Sequence, residues 1–233
     1  MRIAIIPARK GSKRILNKNI KKFCGKPIIF WPLNIIRKSN FFQKIIVSSD
    51  CKQIAKLSKQ YGAEVPFLRP KNISGDEAGI QEVVIHTIDW LKKKYFSPME
   101  VCCIFPTAVF LEIKDIKSAY AKLKKGKKWD YVFSATKNNS NFLRSFNLNK
   151  SNKINMIKKN FYNLRTQELP DSYHDSGQFY WAKDNTWKKK EQIFSKKSTI
   201  VHIPSYRSHD IDTIEDWRCA EILFKNYYKK NFF

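Results

Sequence analysis

Residues 2–19 read RIAIIPARKGSKRILNKN, and this stretch decides the fold. After Arg2 come four apolar residues, most of them β-branched, and Pro7 ends the run. A short apolar run of this kind is typical of a central strand in a parallel sheet. In α/β folds, ligands bind at the carboxyl ends of such strands, where the basic segment 8–19 begins. The stretch therefore predicts an α/β fold with a ligand-binding loop directly after its first strand.

The loop has the chemistry of a polyphosphate site. Its twelve residues hold five cations together with a glycine and hydrogen-bonding side chains. Gly11 allows the backbone to approach a ligand, Ser12 can donate a hydrogen bond, and Arg9, Lys13 and Lys18 can neutralise phosphate charge. The alternative is a solvated run of charge on the surface. The position of the loop after a buried strand favours phosphate binding.

Strand and helix patterns alternate along the rest of the chain. Helices are predicted at residues 27–38, 52–61, 77–95, 114–125 and 214–228, and further strands at 43–49, 64–68, 101–105, 131–135, 177–182 and 198–203. This order predicts a doubly wound, mostly parallel, Rossmann-like sheet of the nucleotidyltransferase type, formed by a single domain over residues 1–233. Residues 138–172 break the pattern with a polar stretch rich in asparagine and lysine. We interpret them as an inserted arm.

Composition excludes several classes of protein. The formal net charge is +25, from 45 Lys plus Arg against 20 Asp plus Glu, but lysines are scattered through almost every segment rather than forming one basic stripe. Specific nucleic-acid binding is therefore not expected. No apolar run approaches the roughly 20 residues that a membrane span needs. The five cysteines form no CxxC pair, which fits a reducing compartment, and we expect a cytoplasmic protein.

A second candidate site lies near the carboxyl end, in the segment HDIDTIEDW at residues 209–217. Asp210 and Asp212 can point to the same side of an extended segment and offer the hard oxygen ligands that Mg²⁺ prefers. Helix capping is the alternative, with Asp212 or Thr213 as the N-cap and Glu215 and Asp216 in the first turn. Capping by one residue leaves its neighbour able to bind metal.

Together these segments resemble the cytidylyltransferases that activate sialic-acid-type sugars. Residues 6–21, IPARKGSKRILNKNIK, match the family signature A-R-x-x-S-K, four residues, then K-N. FLRP at 67–70 with Asp76, LRTQELPDSYHDSGQFY at 164–180 and HDIDTIEDW resemble three further family segments, in order. Five segments are most similar to the pseudaminic acid branch of this family. They are CGKP, AEVPFLRP, CCIFPTAVFL, SGQFYW and DIDTIEDW. Lys10 departs from a commonly small residue, and Phe105 replaces the glutamine of sialic acid enzymes.

The resemblance implies an enzyme that joins CMP to a nine-carbon 2-keto-3-deoxy sugar acid. The anomeric hydroxyl of the acid would attack the α-phosphorus of CTP and release pyrophosphate, giving a CMP-sugar for surface glycan or flagellin glycosylation. Legionaminic and N-acetylneuraminic acid are alternatives to pseudaminic acid as the sugar. A sugar-1-phosphate nucleotidyltransferase would usually carry a G-x-G-T-R-type loop, which ARKGSKR replaces here. A non-catalytic nucleotide-binding or nucleic-acid-binding protein remains the alternative of another class.

The resemblance also implies roles for individual residues. The nucleotide-binding residues would be Arg9, Ser12, Lys13, Lys18, Asn19 and Arg69. The catalytic residues would be Arg9, Lys18 and Asp212, with Lys18 nearest the transferred phosphoryl group. Asp210 and Asp212 would hold Mg²⁺. The sugar would meet Phe105, Arg165, Gln167 and Gln178.

The arm predicts a homodimer. It has too few apolar residues for a core of its own, yet several of its side chains need burial. These are Phe142, Leu143, Phe146, Met156, Ile157, Phe161 and Tyr162. The family resemblance implies the same assembly, with the arm reaching towards the partner's sugar site.

Overall fold

The computed structural model describes residues 1–94, 99–125, 128–138 and 142–228. Its strands are β1 Arg2–Pro7, β2 Lys22–Phe23, β3 Lys26–Pro27, β4 Lys44–Ser48, β5 Glu100–Ile104, β6 Tyr131–Lys137, β7 Phe146–Leu148, β8 Ile154–Met156, β9 Tyr173–Lys183 and β10 Ser198–His202. Its helices are α1 Phe30–Lys38, α2 Lys52–Gln60, α3 Ile80–Lys92, α4 Ile113–Lys124, α5 Asp184–Lys188 and α6 Ile214–Tyr228.

Six strands form the main sheet, in the order β10-β6-β9-β5-β1-β4. Strand β1 pairs in parallel with both β4 and β5, and β10 pairs in parallel with β6. Strand β9 lies between β5 and β6 and runs antiparallel to both. Five strands therefore share one direction, and the predicted mostly parallel α/β fold is confirmed.

The first strand is buried on both faces, which explains why its apolar residues are consecutive rather than alternating. Ala4 and Ile6 point into a core formed with α1, α2 and α4. Ile3 and Ile5 point into a second core, formed with α3 and α5. All four side chains are fully buried. Helices on both sides of the sheet give the doubly wound arrangement.

Two sequence predictions differ from the structure. The predicted strand at 64–68 is wrong, since it makes only isolated bridges, at Glu64 and at Leu68. Pro66 lies between them and has no N–H to donate to a ladder. The helix predicted from residue 27 begins instead at Phe30, because Lys26–Pro27 pairs with β2 across a turn that holds Gly25 at φ 85°.

The predicted helix over residues 77–95 is described as Ile80–Lys92, and residue 95 lies outside the described residues. None of the helices in the described parts of the chain has the length and apolar character needed to cross a membrane.

The segment between β6 and β9 has little core of its own. Its regular structure is the β7–β8 hairpin, in which Phe146 pairs with Met156 and Leu148 pairs with Ile154, together with short 3₁₀ turns. Leu148 and Ile154 are each 62% exposed, and Phe146 is 54% exposed. The arm thus presents apolar side chains to solvent, as its composition predicts.

Candidate active site

A cavity of about 320 Å³ lies at the carboxyl ends of β1 and β5. The loop after β1 forms one wall, and the segment after β5 forms another. Of the residues that the sequence singles out, the cavity is lined by Arg9, Ser12, Lys13, Lys18, Asn19, Arg69, Phe105 and Asp212. The fold therefore brings together side chains that are up to 203 positions apart in the chain, Arg9 and Asp212 being the most distant.

Hydrogen bonds hold the basic loop in place. The backbone N–H of Lys10 donates to Asp50 Oδ1 at 2.9 Å. Asn19 is buried, and its Nδ2 donates to the carbonyl oxygen of Arg9 at 2.8 Å. Asn17, at φ 52°, turns the chain into the short 3₁₀ helix Lys18–Ile20. In this structure Asn19 therefore fixes the backbone of the loop from inside the cavity wall.

Asp76 draws two of the loop's cations together. Its carboxylate lies 2.6 Å from Arg9 Nη1 and 2.5 Å from Lys13 Nζ. Hydrogen bonds from Lys13 and then Arg9 hold the pKa of Asp76 below its usual value. The two cations therefore converge on an anion at the cavity wall. The sequence motif includes Asp76, but its spacing alone assigns it no role.

A second ionic contact joins the loop to the carboxyl-terminal acidic segment. Lys18 Nζ donates to the carbonyl oxygen of Ile211 at 2.7 Å and lies 3.2 Å from Asp212 Oδ1. Arg14 Nη2 lies 2.8 Å from the other oxygen of Asp212. Arg14 is one of the five cations of the loop, but the sequence motif predicts no role for it. The feature of the sequence that could have indicated a role for Arg14 is its position between two motif residues, Lys13 and Lys18.

Helix capping falls on residues other than the predicted metal ligands. Asp216 Oδ2 accepts hydrogen bonds from the backbone N–H of Thr213 at 2.7 Å and of Asp212 at 3.1 Å. The Thr213 hydroxyl accepts from the Asp216 N–H at 3.1 Å, which completes a reciprocal cap at the start of α6. The Thr213 hydroxyl also donates to Asp216 Oδ2 at 2.8 Å, and this bond, followed by the two backbone bonds to the carboxylate, lowers the pKa of Asp216. The side chains of Asp210 and Asp212 are left outside this cap.

Asp210 lies beside the cavity rather than among its lining residues. Its Oδ1 is 3.9 Å from the point that a Cβ on Gly177 would occupy, and it makes no ion pair within the described residues. Desolvation first, and the charge of Asp212 second, raise its pKa. No group of three or more His, Cys, Asp or Glu side chains suited to a metal occurs in the described ranges. The carboxylates of Asp210 and Asp212 fit Mg²⁺ as a partial ligand set, which phosphate oxygens and water would have to complete.

Arg69 is a buried cation in the cavity wall, with only 6% of its surface exposed. Its Nη2 donates to the carbonyl oxygen of Ser48 at 3.1 Å, but its buried Nε has no partner within the described residues. Burial lowers the pKa of this guanidinium. A buried donor without an acceptor is costly, so this place suits a ligand that brings an acceptor oxygen.

Phe105 gives the cavity an apolar wall. Its ring packs edge-on against Tyr180, with centroids 5.6 Å apart, and its backbone N–H donates to the carbonyl oxygen of Gln178 at 2.9 Å. Gln178 is buried behind this wall, where its Nε2 donates to the carbonyl oxygen of Arg207 at 2.7 Å. The cavity wall is therefore apolar at the position where the sialic acid enzymes have a glutamine.

The other predicted sugar-binding residues lie outside the cavity of this chain. Arg165 and Gln167 are exposed on the arm, where the Arg165 N–H donates to Glu168 at 2.8 Å. Neither they nor Gln178 line the cavity. Their roles stay predictions.

The family model described as Cytidylyltransferase matches residues 3–230. The chain belongs to the cytidylyltransferase family. A pseudaminic acid cytidylyltransferase from Campylobacter jejuni is 37% identical to it over 223 residues, which cover 96% of each chain. A CMP-N,N'-diacetyllegionaminic acid synthase from Legionella pneumophila is 32% identical and also covers 96% of each chain.

A solved structure shares the fold of this cytidylyltransferase. It is CMP:2-keto-3-deoxy-manno-octonic acid synthetase complexed with CTP, with a TM-score of 0.71 and 11% sequence identity over 97% of this chain and 99% of the other. The family model and the 37% identical relative confirm both the family resemblance that the motifs show and the predicted enzyme class, a nucleotidyltransferase.

Proposed function

We propose that this cytidylyltransferase transfers CMP from CTP to the anomeric hydroxyl of pseudaminic acid and releases pyrophosphate. The observation that carries the proposal is the similarity to a pseudaminic acid cytidylyltransferase across 96% of both chains. The cavity supports it, because the cations of the signature loop and the apolar Phe105 line the same space. The 32% identical legionaminic acid relative makes that isomer the second candidate for the sugar.

The triphosphate would bind through cations that are already paired with carboxylates. Asp76 holds Arg9 and Lys13, and their contacts mark a place where two positive charges meet one anion. A triphosphate carries more negative charge than one carboxylate and offers more acceptor oxygens, so it can displace Asp76 from these partners. Ser12, in the same wall, can add a hydroxyl donor.

Lys18 has the position expected of a charge stabiliser in the transferring step. Its side chain is only 19% exposed, and it lies between the loop and Asp212. Phosphoryl transfer depends mainly on positioning and on neutralising charge that develops in the transition state. A partly desolvated ammonium group acts more strongly here than one in bulk water.

Asp210 and Asp212 would hold Mg²⁺ next to Lys18. When bound, the ion would offset negative charge on the phosphate oxygens and favour deprotonation of the attacking hydroxyl. The chain's own part is to place Asp212 in the cavity wall and Asp210 beside the cavity, with Thr213 and Asp216 fixing the backbone between them and α6.

Phe105 supports the choice of sugar. Pseudaminic acid has a second acylamino group and a C9 methyl where N-acetylneuraminic acid has hydroxyls, so it is the more apolar ligand. A phenyl ring packs against methyl groups but cannot hydrogen-bond a hydroxyl. Discrimination by apolar fit amounts to roughly 1–3 kcal/mol per group.

The reaction is tested by mixing the purified enzyme with CTP, Mg²⁺ and pseudaminic acid and measuring pyrophosphate release. We expect release to require all three and to produce one CMP-sugar per pyrophosphate, with ATP and UTP as nucleotide controls. Pyrophosphate released without the acid, or no release with any nonulosonic acid, would contradict the proposed transfer.

We also propose that the enzyme is a homodimer joined through the arm. The exposed pair of Leu148 and Ile154 on the β7–β8 hairpin, with Phe146 beside it, offers an apolar surface that a two-fold partner can cover. Such an assembly gives the exposed Arg165 and Gln167 a way to reach the sugar site of the other copy.

The dimer predicts a mass of about twice 27.5 kDa by light scattering at micromolar concentration. Replacing Leu148 and Ile154 together by Glu puts two like charges opposite each other on this surface, and we expect it to give a monomer. A matched control replaces Lys188 and Lys189, outside the arm, by Glu and should remain dimeric. A monomeric wild type would exclude the dimer.

A further inference from the structure

The wall behind Phe105 contains a carboxylate to which neither the motifs nor the family match assigns a role. Asp175 is half-buried in β9 and makes no ion pair within the described residues. Its Oδ1 accepts a hydrogen bond from the backbone N–H of Gly177 at 3.0 Å, and its Oδ2 accepts one from the hydroxyl of Tyr180. Both oxygens are thus occupied by neutral donors from its own strand.

These two contacts lie at an irregularity in the sheet. The pairing between β6 and β9 shifts register between Phe133 and Ala135, and the hydroxyl of Ser134 accepts the Phe179 N–H at 3.1 Å within this shift. Gly177 lies in the shifted segment with φ 63°, a conformation that strongly favours glycine. Bulges of this kind often redirect side chains beside active sites.

One contact of Asp175 leads to the apolar wall. Tyr180 is 6% exposed, and its ring packs between Phe105 and Phe133, with centroid distances of 5.6 Å and 5.8 Å. Because Asp175 accepts from the Tyr180 hydroxyl, the ring cannot shift away from its place without losing that bond. The place of Phe105 in the cavity therefore depends on Tyr180, and the place of Tyr180 depends on Asp175.

The other contact leads to the acidic segment. Gly177 is held by Asp175 through its N–H, and its α-carbon faces Asp210, whose Oδ1 would lie 3.9 Å from a Cβ at that position. The space beside Asp210 is thus bounded by a backbone turn that Asp175 closes. A half-buried carboxylate that uses its oxygens on neutral donors, without a cation, contributes little net stability. Its use in the site is a better explanation for its presence.

We propose that Asp175 is a positioning residue that sets the sugar-facing wall at Phe105, through Tyr180, and the backbone beside Asp210, through Gly177. The inference rests on the proposed function, because it takes Phe105 to face the sugar. It concerns the acid and the transferring step, and it leaves the binding of CTP to the basic loop unchanged.

Asp175→Asn is the sharpest test, because asparagine has the same shape but only one acceptor oxygen for two donors. We expect kcat/KM for pseudaminic acid to fall at least tenfold, through both a higher KM for the acid and a lower kcat. The KM for CTP should stay within twofold. Asp89→Asn, which removes an exposed carboxylate paired with Lys188, is the control and should match the wild type.

Tyr180→Phe separates the two contacts, since it removes the hydroxyl and keeps the ring. It should raise the KM for the acid without lowering kcat as far as Asp175→Asn does. If Asp175 acts through Tyr180, the double variant loses less than the product of the two single effects. Multiplicative losses, an equal rise in the KM for CTP, or parameters within twofold of the wild type in Asp175→Asn would overturn the proposal.

A spectroscopic measurement that needs no substrate tests the role of Asp175 separately from the proposed function. The hydroxyl of Tyr180 donates to Asp175 Oδ2, so its environment reports this contact directly. In protein labelled with ¹³Cζ-tyrosine, the resonance lost in Tyr180→Phe identifies this group, and its chemical shift at neutral pH should change in Asp175→Asn and stay unchanged in Asp89→Asn. An unchanged chemical shift in Asp175→Asn would overturn the positioning role, whatever the substrate. A wild type that activates no nonulosonic acid would overturn the proposed function instead.

Discussion

Lys18→Ala should lower kcat by about 10²–10³-fold, the loss typical of removing one preorganised group that stabilises charge in a transition state. The ammonium group is largely shielded from water and already lies 3.2 Å from Asp212 and 2.7 Å from a backbone oxygen. Alanine leaves no group that can replace it. The KM for CTP should change much less, because Arg9, Lys13 and Arg69 remain to bind the nucleotide.

Lys188→Ala is the matched control for Lys18→Ala. Lys188 lies on α5 and forms an ion pair with Asp89 at 2.8 Å, with both side chains exposed. Exposed pairs of this kind contribute little to stability, so activity should stay within twofold. Equal losses in the two variants would show that the loop's charge serves solubility rather than phosphate.

The second large effect is expected at Asp212. Asp212→Asn keeps the size of the side chain but removes the negative charge that faces Lys18 and Arg14. If Asp212 holds Mg²⁺, kcat should fall by about 10²-fold or more, and the concentration of Mg²⁺ needed for half-maximal rate should rise. Circular dichroism should show an unchanged fold, because the lost ion pairs are partly exposed and weak.

Asp216→Asn is the control for this acidic segment. Asp216 holds the cap of α6 through bonds that one asparagine oxygen can still accept, so we expect a small loss of stability and an activity within several fold of the wild type. Asp212→Asn with near wild-type activity in Mg²⁺ would show that the metal assignment is wrong. A loss at Asp216 as large as that at Asp212 would point to folding instead.

The sequence predicted most of the fold because its signals are local. The apolar run at Arg2–Pro7 is consecutive since both faces of β1 are buried, and this is visible without any partner strand. The direction of β9, in contrast, is not a local property of its sequence. An apolar run packs equally well in either direction, so the pattern at 177–182 could not show that β9 runs antiparallel to its neighbours.

The candidate site also has a part that the sequence predicts and a part that only the structure shows. The signature fixes residues by their spacing within one loop, and Arg9, Ser12, Lys13 and Lys18 accordingly lie in one cavity. Spacing does not reveal which charges meet across the fold, so the contact of Asp76 with Arg9 needed the structure.

Side-chain direction in the strand beside the site was also hidden. A glutamine in an apolar strand gives no sign of whether it faces a ligand, and Gln178 bonds to the backbone of Arg207 instead of lining the cavity. The pairing of Asp175 with Tyr180 depends on a register shift between two strands far apart in sequence. Roles that depend on a second copy of the chain, as proposed for Arg165 and Gln167, lie beyond what one chain displays.

The most direct test of the account is a competition for CTP among pseudaminic, legionaminic and N-acetylneuraminic acids at equal concentration. The three CMP-sugars are separated by chromatography and counted by mass spectrometry, and the ratio of early products gives the ratio of kcat/KM values. Phe105 in the wall should favour pseudaminic acid and its stereoisomer legionaminic acid well above N-acetylneuraminic acid. Between the two stereoisomers, the higher identity to the pseudaminic acid relative, 37% against 32%, predicts the highest kcat/KM for pseudaminic acid. A clear preference for N-acetylneuraminic acid would contradict the assignment of both the sugar and its apolar wall.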